Sequence, residues 1–503
     1  MKSNFHVKYS DKIKDTISCY DRILINGSLS QWGYAESMRS YLFSNKIKVF
    51  DFPAYAKTFN ERIRQQIEKM AEEHQVKIEH IRSPNKFNKE LNIKNILKTR
   101  GMHPGIVHIY TSMEICDSYS PCWNKTTGYP TLKLRTTKCL HYYIYLIDSS
   151  LGLCFIKIQT WIPCRVQFYF NGHNYLANKL KKKNIDFKME DNAFVEISDS
   201  ELAQELSDNI RVEKIKNLLD IIVGHFIPFL KETSQSYRWT ILQAEYSTDV
   251  IFKNQKDFRN IYEEIVLQNI HCAKPENIAT FFSRPLAAHY SQEVGTKYNK
   301  MIQGTRIKHH MGANSIKMYD KSNVVLRIET TVNDIKEFKV FRDVTSRSGE
   351  TVRKYAPLKK NIFSLHDLIH LCTASNNRYL EFIAAFGENS EGKKNLHQIS
   401  QSKYENNRSY KGFNFFDEKD YDVLLVLSSG EFVINGFRNK SIRKKLKFNY
   451  SPSQISRILK RLHLHGLIKK VKNSFKYYIT DLGRKSITAG LVVKETNIIP
   501  ALN

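Results

Sequence analysis

Residues 436–485 read GFRNKSIRKKLKFNYSPSQISRILKRLHLHGLIKKVKNSFKYYITDLGRK, and the rest of the chain is read outward from them. Asn439 or Lys440 opens a short basic helix that runs to Leu446. Ser451-Pro452-Ser453 opens the next one: the first serine can accept free backbone amides, and proline suits the first helical position. Ile455, Ile458, Leu459 and Leu462 recur at i, i+3, i+4 and i+7, so one stripe faces a core. Gln454, Ser456, Arg457, Lys460 and Arg461 then point outward, and Gly466 ends the helix. Strands over 467–471 and 475–480 follow, joined by a tight turn at Lys472-Asn473-Ser474. Their outward residues include Lys469, Lys470, Lys472 and Lys476, while Asp481 is the one acid in the stretch. Each cation placed on a phosphate releases condensed counterions, so the surface suits a polyanion.

The segments SQISRILKRLHLHGLIKK and YYITDLGRK resemble the winged helix-turn-helix domains of MarR-like transcriptional regulators. The resemblance covers about the last fifth of the chain. It implies that a helix over 453–465 enters the major groove of duplex DNA while the hairpin touches backbone phosphates. Ser453, Gln454, Ser456 and Arg457 are then expected near bases. Lys460, Arg461, Lys469, Lys470, Lys472 and Lys476 are expected on phosphates. A winged helix used for protein contacts, and a homodimer, are the other arrangements such a domain allows.

Composition points the same way. The chain has 503 residues, too many for a single core, and a 41% hydrophobic content ordinary for globular protein. Lys and Arg number 78 against 50 Asp and Glu, a net charge of +28 that calls for nucleic acid or an anionic membrane surface. The longest apolar run, 218–230, carries Asp220 and His225 and is too short to span a bilayer. The opening MKSNFHVKYSDK lacks the apolar core of a secretion signal, and the eight cysteines show no regular spacing. The expectation is a cytoplasmic, nucleoid-associated bacterial protein with free thiols, whose partner is DNA or RNA and not a membrane.

The expected fold class is α+β and multidomain, a mixed α/β body with antiparallel sheets plus the C-terminal winged helix. Composition shifts suggest a small α/β domain over 1–110 and a β-rich then helical segment over 111–235. A mixed segment with central antiparallel strands follows over 236–387. A polar linker over 388–411 then leads to the winged helix-turn-helix over 412–503. Aromatic strands over 141–170 are read as filling a sheet face or stacking on bases. Helices are expected over 258–269, 274–282 and 287–302. No internal repeat is read.

The sharpest local chemistry is TRIKHHMGANSIKMYDKSNVVLRIETTVND, residues 305–334. Turns at Met311-Gly312-Ala313-Asn314 and Ser322-Asn323-Val324 give three antiparallel strands. Alternation sets Tyr319 across from Arg327 and Lys317 across from Glu329. Lys317, Tyr319, Lys321, Arg327 and Glu329 then share a face, either a phosphate-handling surface or a solvated, ion-paired one. The Tyr-x-Lys and Arg-x-Glu pattern across this hairpin resembles a segment of phage and plasmid rolling-circle replication initiators. That resemblance implies a metal-dependent DNA-nicking tyrosine. The family's His-hydrophobic-His motif is missing here: His309 and His310 are adjacent and face opposite sides, and His463-Leu464-His465 lies at the end of the C-terminal helix. Taken whole, the chain resembles a family of uncharacterised bacterial proteins known through the winged helix, which implies no mechanism.

Asp21, Glu245, Asp249 and Glu329 lie in or beside expected strands. With Tyr319 they are the candidate catalytic residues of a nickase or transposase-like enzyme using Mg2+ or Mn2+. Asp21 in DRILING is similar to the start of RNase-H-like folds. Cys116, Cys122, Cys139, His141, Cys154, Cys164 and His173 crowd one region without a Cys-x2-Cys knuckle, so buried thiols are expected and no metal is assigned. No Walker phosphate loop, dinucleotide fingerprint or nucleophile elbow appears.

Overall fold

Isoleucine, valine, tyrosine and phenylalanine dominate four runs of the first 252 residues, and each run forms one long strand. The computed structural model describes residues 3–82, 87–284, 292–302, 304–346, 348–384, 389–428, 432, 436–472 and 474–494. The chain divides into two compact units, 1–383 and 384–503.

In the first unit the elements run in the following order. After helix α1 (Asn4–Lys8) and strand β1 (Ile13–Leu29) come α2 (Ala35–Ser44), α3 (Phe52–Glu73), β2 (Ile78–His80) and α4 (Lys89–Arg100). Next are β3 (Gly105–Trp123), β4 (Pro130–Asp148), β5 (Gly152–Gln159), β6 (Val166–Asn171) and α5 (Gly172–Lys182). The hairpin β7 (Phe187–Glu190) and β8 (Ala193–Ile197) leads to α6 (Ser200–Asp208), α7 (Val212–Phe226) and β9 (Tyr237–Phe252). Then follow α8 (Gln255–Cys272), α9 (Pro275–Phe281), β10 (Val294–Met301), β11 (Gly304–Met311), β12 (Asn314–Lys321) and β13 (Val325–Val332). A hairpin of β14 (Lys339–Thr345) and β15 (Thr351–Pro357) precedes α10 (Leu365–Ala384).

Eleven strands form one mixed sheet in the order β10-β11-β12-β13-β9-β1-β6-β5-β4-β3-β2. Only β2–β3 is parallel. Leaving out β2, the order is a palindrome about the β9–β1 pair. Each half is a long strand, then helices, then a four-stranded meander whose last strand returns to pair with the first. The central register has the same symmetry. About Ile23↔Ala244, Cys19↔Ser247 mirrors Asn26↔Thr240, and Ile17↔Asp249 mirrors Ser28↔Arg238. Two of the three irregularities correspond as well: the register skips Asp21 on β1 and Leu242 on β9, while the third, at Lys14, is unmatched. Residue i meets j and the counterpart of j meets the counterpart of i, which is the signature of a two-fold axis. The two halves of the unit thus share one topology, related by a two-fold axis through the β9–β1 pair.

One sheet face packs on helices. Trp32 stacks edge-on to Phe59 of α3, and His309 bonds to Asn269 of α8 while packing against Phe281 of α9 and Tyr379 of α10. On the opposite face Ile17 and Cys19 pack under α5, β8 and α6 through Leu176, Phe194 and Ala203, and Tyr110 and Tyr145 pack with Ile93 of α4. The rest of that face carries the polar residues described below.

The segments expected separately at 1–110, 111–235 and 236–387 therefore share one sheet and one unit. Residues 294–301, expected within a helix, form β10, because pairing with β11 outweighs local helical propensity.

The second unit holds α11 (Asn389–Ser400), β16 (Lys403–Glu405), β17 (Arg408–Tyr410), α12 (Glu418–Leu427), α13 (Asn439–Arg443), α14 (Pro452–Leu464), β18 (Ile468–Lys470), β19 (Tyr477–Ile479) and α15 (Asp481–Val493). The expected linker over 388–411 instead supplies a helix and a hairpin, and its Ile399 is buried in the unit's core. That core gathers Ile442, Ile455, Leu459, Leu462, Leu467, Ile468 and Ile487. Each such side chain contributes about 1.5–3 kcal/mol when fully buried. Ser451 and Gln454 form a reciprocal capping box at the start of α14, and Pro452 occupies its first turn. Asn473, within the expected hairpin turn, lies outside the described residues.

Candidate functional site

The alternation in β12 and β13 holds: Tyr319 pairs with Arg327 and Lys317 with Glu329. Their polar face adjoins that of β9, where Thr331, Glu329 and Arg327 stand beside Glu245, Ser247 and Asp249. On β1, Asp21 follows Cys19, which pairs with Ser247, onto the same face, and a bulge there sets Asp21 and Arg22 together opposite Glu245. Asp21, Glu245 and Glu329 thereby bring carboxylate oxygens within 4.8 Å of one another.

Lys317 Nζ bridges Glu329 at 2.5 Å and Glu245 at 3.1 Å. The Tyr319 hydroxyl donates to Glu329 at 2.6 Å. Beside this group Arg327, fully buried, donates to both oxygens of Asp249 at 2.7 and 2.6 Å, and to the Asn192 carbonyl at 2.8 Å. His173 lies between Asp21 at 3.2 Å and Asp249 at 3.4 Å. Asn171 and Asn192 amides complete the shell of Asp21 at 3.1 and 2.6 Å. Four carboxylates thus face Lys317, Arg327 and His173.

The electrostatics sort these groups. Burial opposes charge on Asp21, but the hydrogen bond from His173 and the field of Arg327 hold its carboxyl well below the usual range. Asp249 is lowered in the same way, Arg327 outweighing burial. Burial opposes protonation of His173, and so does Arg327, 3.0 Å from its Nε2, yet neighbouring Cys19 and the contacts with Asp21 and Asp249 push it well above an ordinary imidazole. Glu329 goes the other way: burial raises it, Lys317 pulls it down, and Glu245 and Asp21 push it up again. Burial and the Glu329 carboxylate raise the Tyr319 phenol well above its normal value.

The oxygen-only donor set of Asp21, Glu245 and Glu329 fits a hard cation such as Mg2+ or Mn2+. Ser315 Oγ and Thr331 Oγ1, on the same face next to Glu245 in register, are buried without a hydrogen-bond partner among the described residues. Arg327, expected on a nucleic-acid surface, is instead a buried ion-pair partner, because β7–β8 and α5 cover it. Lys317 is spent on two carboxylates. Lys321 pairs with Asp191 at 2.6 Å. The sequence set His173 among the cysteines and not with these carboxylates, and it did not single out Asn171 or Asn192 as site residues. They arrive from the start of α5 and the turn between β7 and β8, and their one signal is the helix-opening Asn171-Gly172.

In the second unit Ser453 and Arg457 are exposed on α14, and Lys469, Lys470 and Lys472 are exposed on the hairpin. Lys476 is partly covered and lies over the Tyr478 ring. Gln454 is engaged in the cap, and Ser456 accepts from Asn439 of α13 at 3.0 Å. Lys460 pairs with Glu405 at 2.9 Å on the surface. Arg461 differs from expectation: it is clamped onto Asp420 and the carbonyls of Lys411 and Gly412, a structural post with no reach toward a phosphate. Its position at the inner margin of the helix puts it beside Phe413, not solvent.

Among the described residues the cysteines and histidines form no group with the geometry of a metal site. Cys116 and Cys139 sulfurs lie 2.7 Å apart, and Cys139 is 3.8 Å from His141. Cys154 and Cys164 are buried, and among the described residues every cysteine is a free thiol. His309 is buried and held by Asn269 and Tyr379 at 3.1 and 3.2 Å, and burial lowers it to about 3. Among the described residues no helix is long and apolar enough to cross a membrane.

No family model matches the chain, and neither does any curated protein. Among solved structures, the class II 3-hydroxy-3-methylglutaryl-CoA reductase from Streptococcus pneumoniae matches at 10% identity over 89% of this chain and 78% of that one. Its TM-score is 0.16, a likeness too slight to carry an argument.

Proposed function

We propose that the protein binds nucleic acid, duplex DNA first, through a C-terminal winged helix formed by α13, α14 and the β18–β19 hairpin. One observation carries this reading. Arg457, Lys469, Lys470 and Lys472 are exposed on the second unit, and no carboxylate lies within ion-pair distance of them among the described residues. Lys460 and Arg461 are instead paired with Glu405 and Asp420. In this reading α14 enters the major groove with Arg457 on a base edge, and the hairpin lysines rest on phosphates. The test is to titrate the full chain with duplex DNA, single-stranded DNA and RNA at several salt concentrations, and to sequence the nucleic acid that copurifies. Affinity for no polymer at low salt would end the proposal. Preference for RNA would keep the surface and change the polymer.

A second reading rests on a separate observation, the convergence of Asp21, Glu245 and Glu329 beside Tyr319. It is a metal-dependent phosphoryl transfer on DNA, of the nickase or transposase-like kind. Mg2+ or Mn2+ held by the three carboxylates would supply charge neutralisation at phosphorus. Tyr319 Oη forms the bond to phosphorus as the sugar oxygen leaves, and Glu329, already its hydrogen-bond acceptor, takes the phenolic proton. Supercoiled or single-stranded DNA incubated with Mn2+ discriminates the readings: cleavage, or a covalent protein–DNA adduct, belongs to the second alone.

A further inference from the structure

The two-fold axis assigns each residue of the carboxylate site a counterpart in the other half of the sheet. On β5 and β6 the register sets Lys157 against Gln167, as β12 and β13 set Lys317 against Glu329. Counting on from these pairs, Arg165-Val166-Gln167 corresponds to Arg327-Ile328-Glu329, Ile156-Lys157 to Ile316-Lys317, and Asn171 to Asn333. The lysine and the arginine are kept. The acids and the tyrosine are not. Glu329 becomes Gln167, Tyr319 becomes Gln159, Glu245 becomes Leu24, Asp249 becomes Ser28 and Asp21 becomes Leu242.

That exchange changes the chemistry in one direction. Arg327 is sealed, whereas the side chain of Arg165 is 36% exposed. Lys157 and Arg165 are balanced by acids from the outer strand β3, Glu114 at 2.7 Å and Asp117 at 2.6 Å. Neither acid stands at the mirror position. The result is a pocket of about 230 Å³ on the same sheet face, whose lining includes Asn26, Asp117, His141, Lys157, Arg165 and Gln167, with Asp117 paired to Arg165. Such a volume admits one base with its phosphate and is far too small for a duplex.

We propose that this pocket is a non-catalytic subsite for single-stranded nucleic acid, the counterpart of the carboxylate site without its acids. A backbone phosphate rests between Lys157 and Arg165, and an unstacked base meets the amides of Gln167 and Asn26. Carboxamides offer both a donor and an acceptor to a base edge, as carboxylates cannot, and a recessed pocket is reached only by a base that has left its stack. Five strand steps separate Lys157 from Lys317, about 24 Å across the strands, and their register partners Asn26 and Cys19 stand seven residues apart on β1, about 23 Å along it, so one strand of nucleic acid lying obliquely over about 33 Å of the sheet face can engage both sites. The inference rests on the nucleic-acid reading above.

The experiment uses the full chain and a single-stranded oligonucleotide of about 16 nucleotides carrying photoreactive bases, a length that spans both sites. Cross-links are mapped to peptides, and affinity is followed against salt. Cross-links within residues 138–171 are expected. The Lys157→Gln/Arg165→Gln double variant is expected to lose about tenfold in single-strand affinity and about 0.7 of a unit of salt slope, the share of the one phosphate the pair holds. Gln167→Glu, which adds one carboxylate at a half-buried site without altering volume, is expected to weaken single strands several-fold and leave duplex affinity unchanged. Cross-links confined to residues 436–485, with unchanged affinity in both variants, overturn the subsite and leave the C-terminal reading standing. Binding of neither polymer overturns both.

Discussion

Arg461 spans the carboxylate of Asp420, with Nη1 on Oδ1 and Nη2 on Oδ2 at 2.7 Å each, while Nε reaches the Lys411 carbonyl at 2.7 Å. Both side chains are largely withdrawn from solvent, and Asp420 also accepts from the Asn414 amide at 3.0 Å. Removing the guanidinium strands a carboxylate that α12 cannot turn toward water. Arg461→Ala is therefore expected to cost about 3 kcal/mol in the second unit. Arg461→Lys is expected to recover little, since a point charge cannot make the fork. Urea unfolding followed by a probe in residues 384–503 measures it. Stability unchanged in Arg461→Ala would return this residue to the nucleic-acid surface.

Arg457, one turn earlier on α14, is expected to behave in the opposite way. It is exposed and outside the cap, so Arg457→Ala is expected to leave stability within about 0.5 kcal/mol. Discrimination between DNA sequences is expected to fall by about 1–3 kcal/mol. Lys470→Ala is expected to weaken all duplexes alike and to reduce the slope of log affinity against log salt by about one. Competition binding with a randomised duplex pool separates the two effects. Equal losses on every sequence for Arg457→Ala would remove it from the bases.

Legibility of the fold followed the range of the interactions. The pairing of Tyr319 with Arg327 and Lys317 with Glu329 was readable because a short turn fixes the register and alternation does the rest. The cap and core stripe of α14 were readable for the same local reason. Convergence of Asp21 with Glu245 was not, because β1 and β9 are far apart in sequence and no turn fixes their register. His173 sits among cysteines in sequence, while its partners come from β1 and β9. The shared topology of the two halves was not legible because what they have in common in sequence is Ile-Lys on one strand and Arg-x-Gln or Arg-x-Glu on the next, with connections of different length between them. Domain boundaries inside residues 1–387 follow composition, which does not register that strands far apart in sequence complete one sheet.

The buried charge network sets a pH dependence. His173 has a folded pKa well above its ordinary value of about 6.5, so its contribution to stability is complete below that pH and is lost as pH rises toward the folded value. Asp21 and Asp249 are lowered, so their contributions are complete above about pH 4 and are lost on acidification. Stability of the first unit is expected to be greatest between about pH 4 and 6.5 and to decline on the alkaline side. His173→Gln, which keeps a donor but cannot titrate, is expected to lower stability at pH 6 and flatten the alkaline decline. Urea midpoints across the range test this, and an unflattened decline in the variant would assign the titration to another group.

Arg327 is the hinge of that network, and the prediction for it separates a structural ion pair from a catalytic one. It compensates Asp249, which has no exposure, and adjoins Asp21 at 3.5 Å. Arg327→Met is expected to cost about 3–5 kcal/mol by leaving buried carboxylates unpaired. Adding Asp249→Asn is expected to restore a large part of the loss, because the remaining groups no longer carry an uncompensated charge. Tyr319→Phe is the complementary change. It removes one hydrogen bond to a charged acceptor, about 1.5–3 kcal/mol, and leaves the ion pairs in place. If the carboxylates serve phosphoryl transfer, Tyr319→Phe abolishes a covalent DNA adduct formed with Mn2+ while DNA affinity persists. The Arg327→Met/Asp249→Asn protein, refolded around a neutral pair, retains the adduct. An adduct that survives Tyr319→Phe would place the nucleophile elsewhere, and cleavage without any adduct would replace the tyrosine with water at the same three carboxylates.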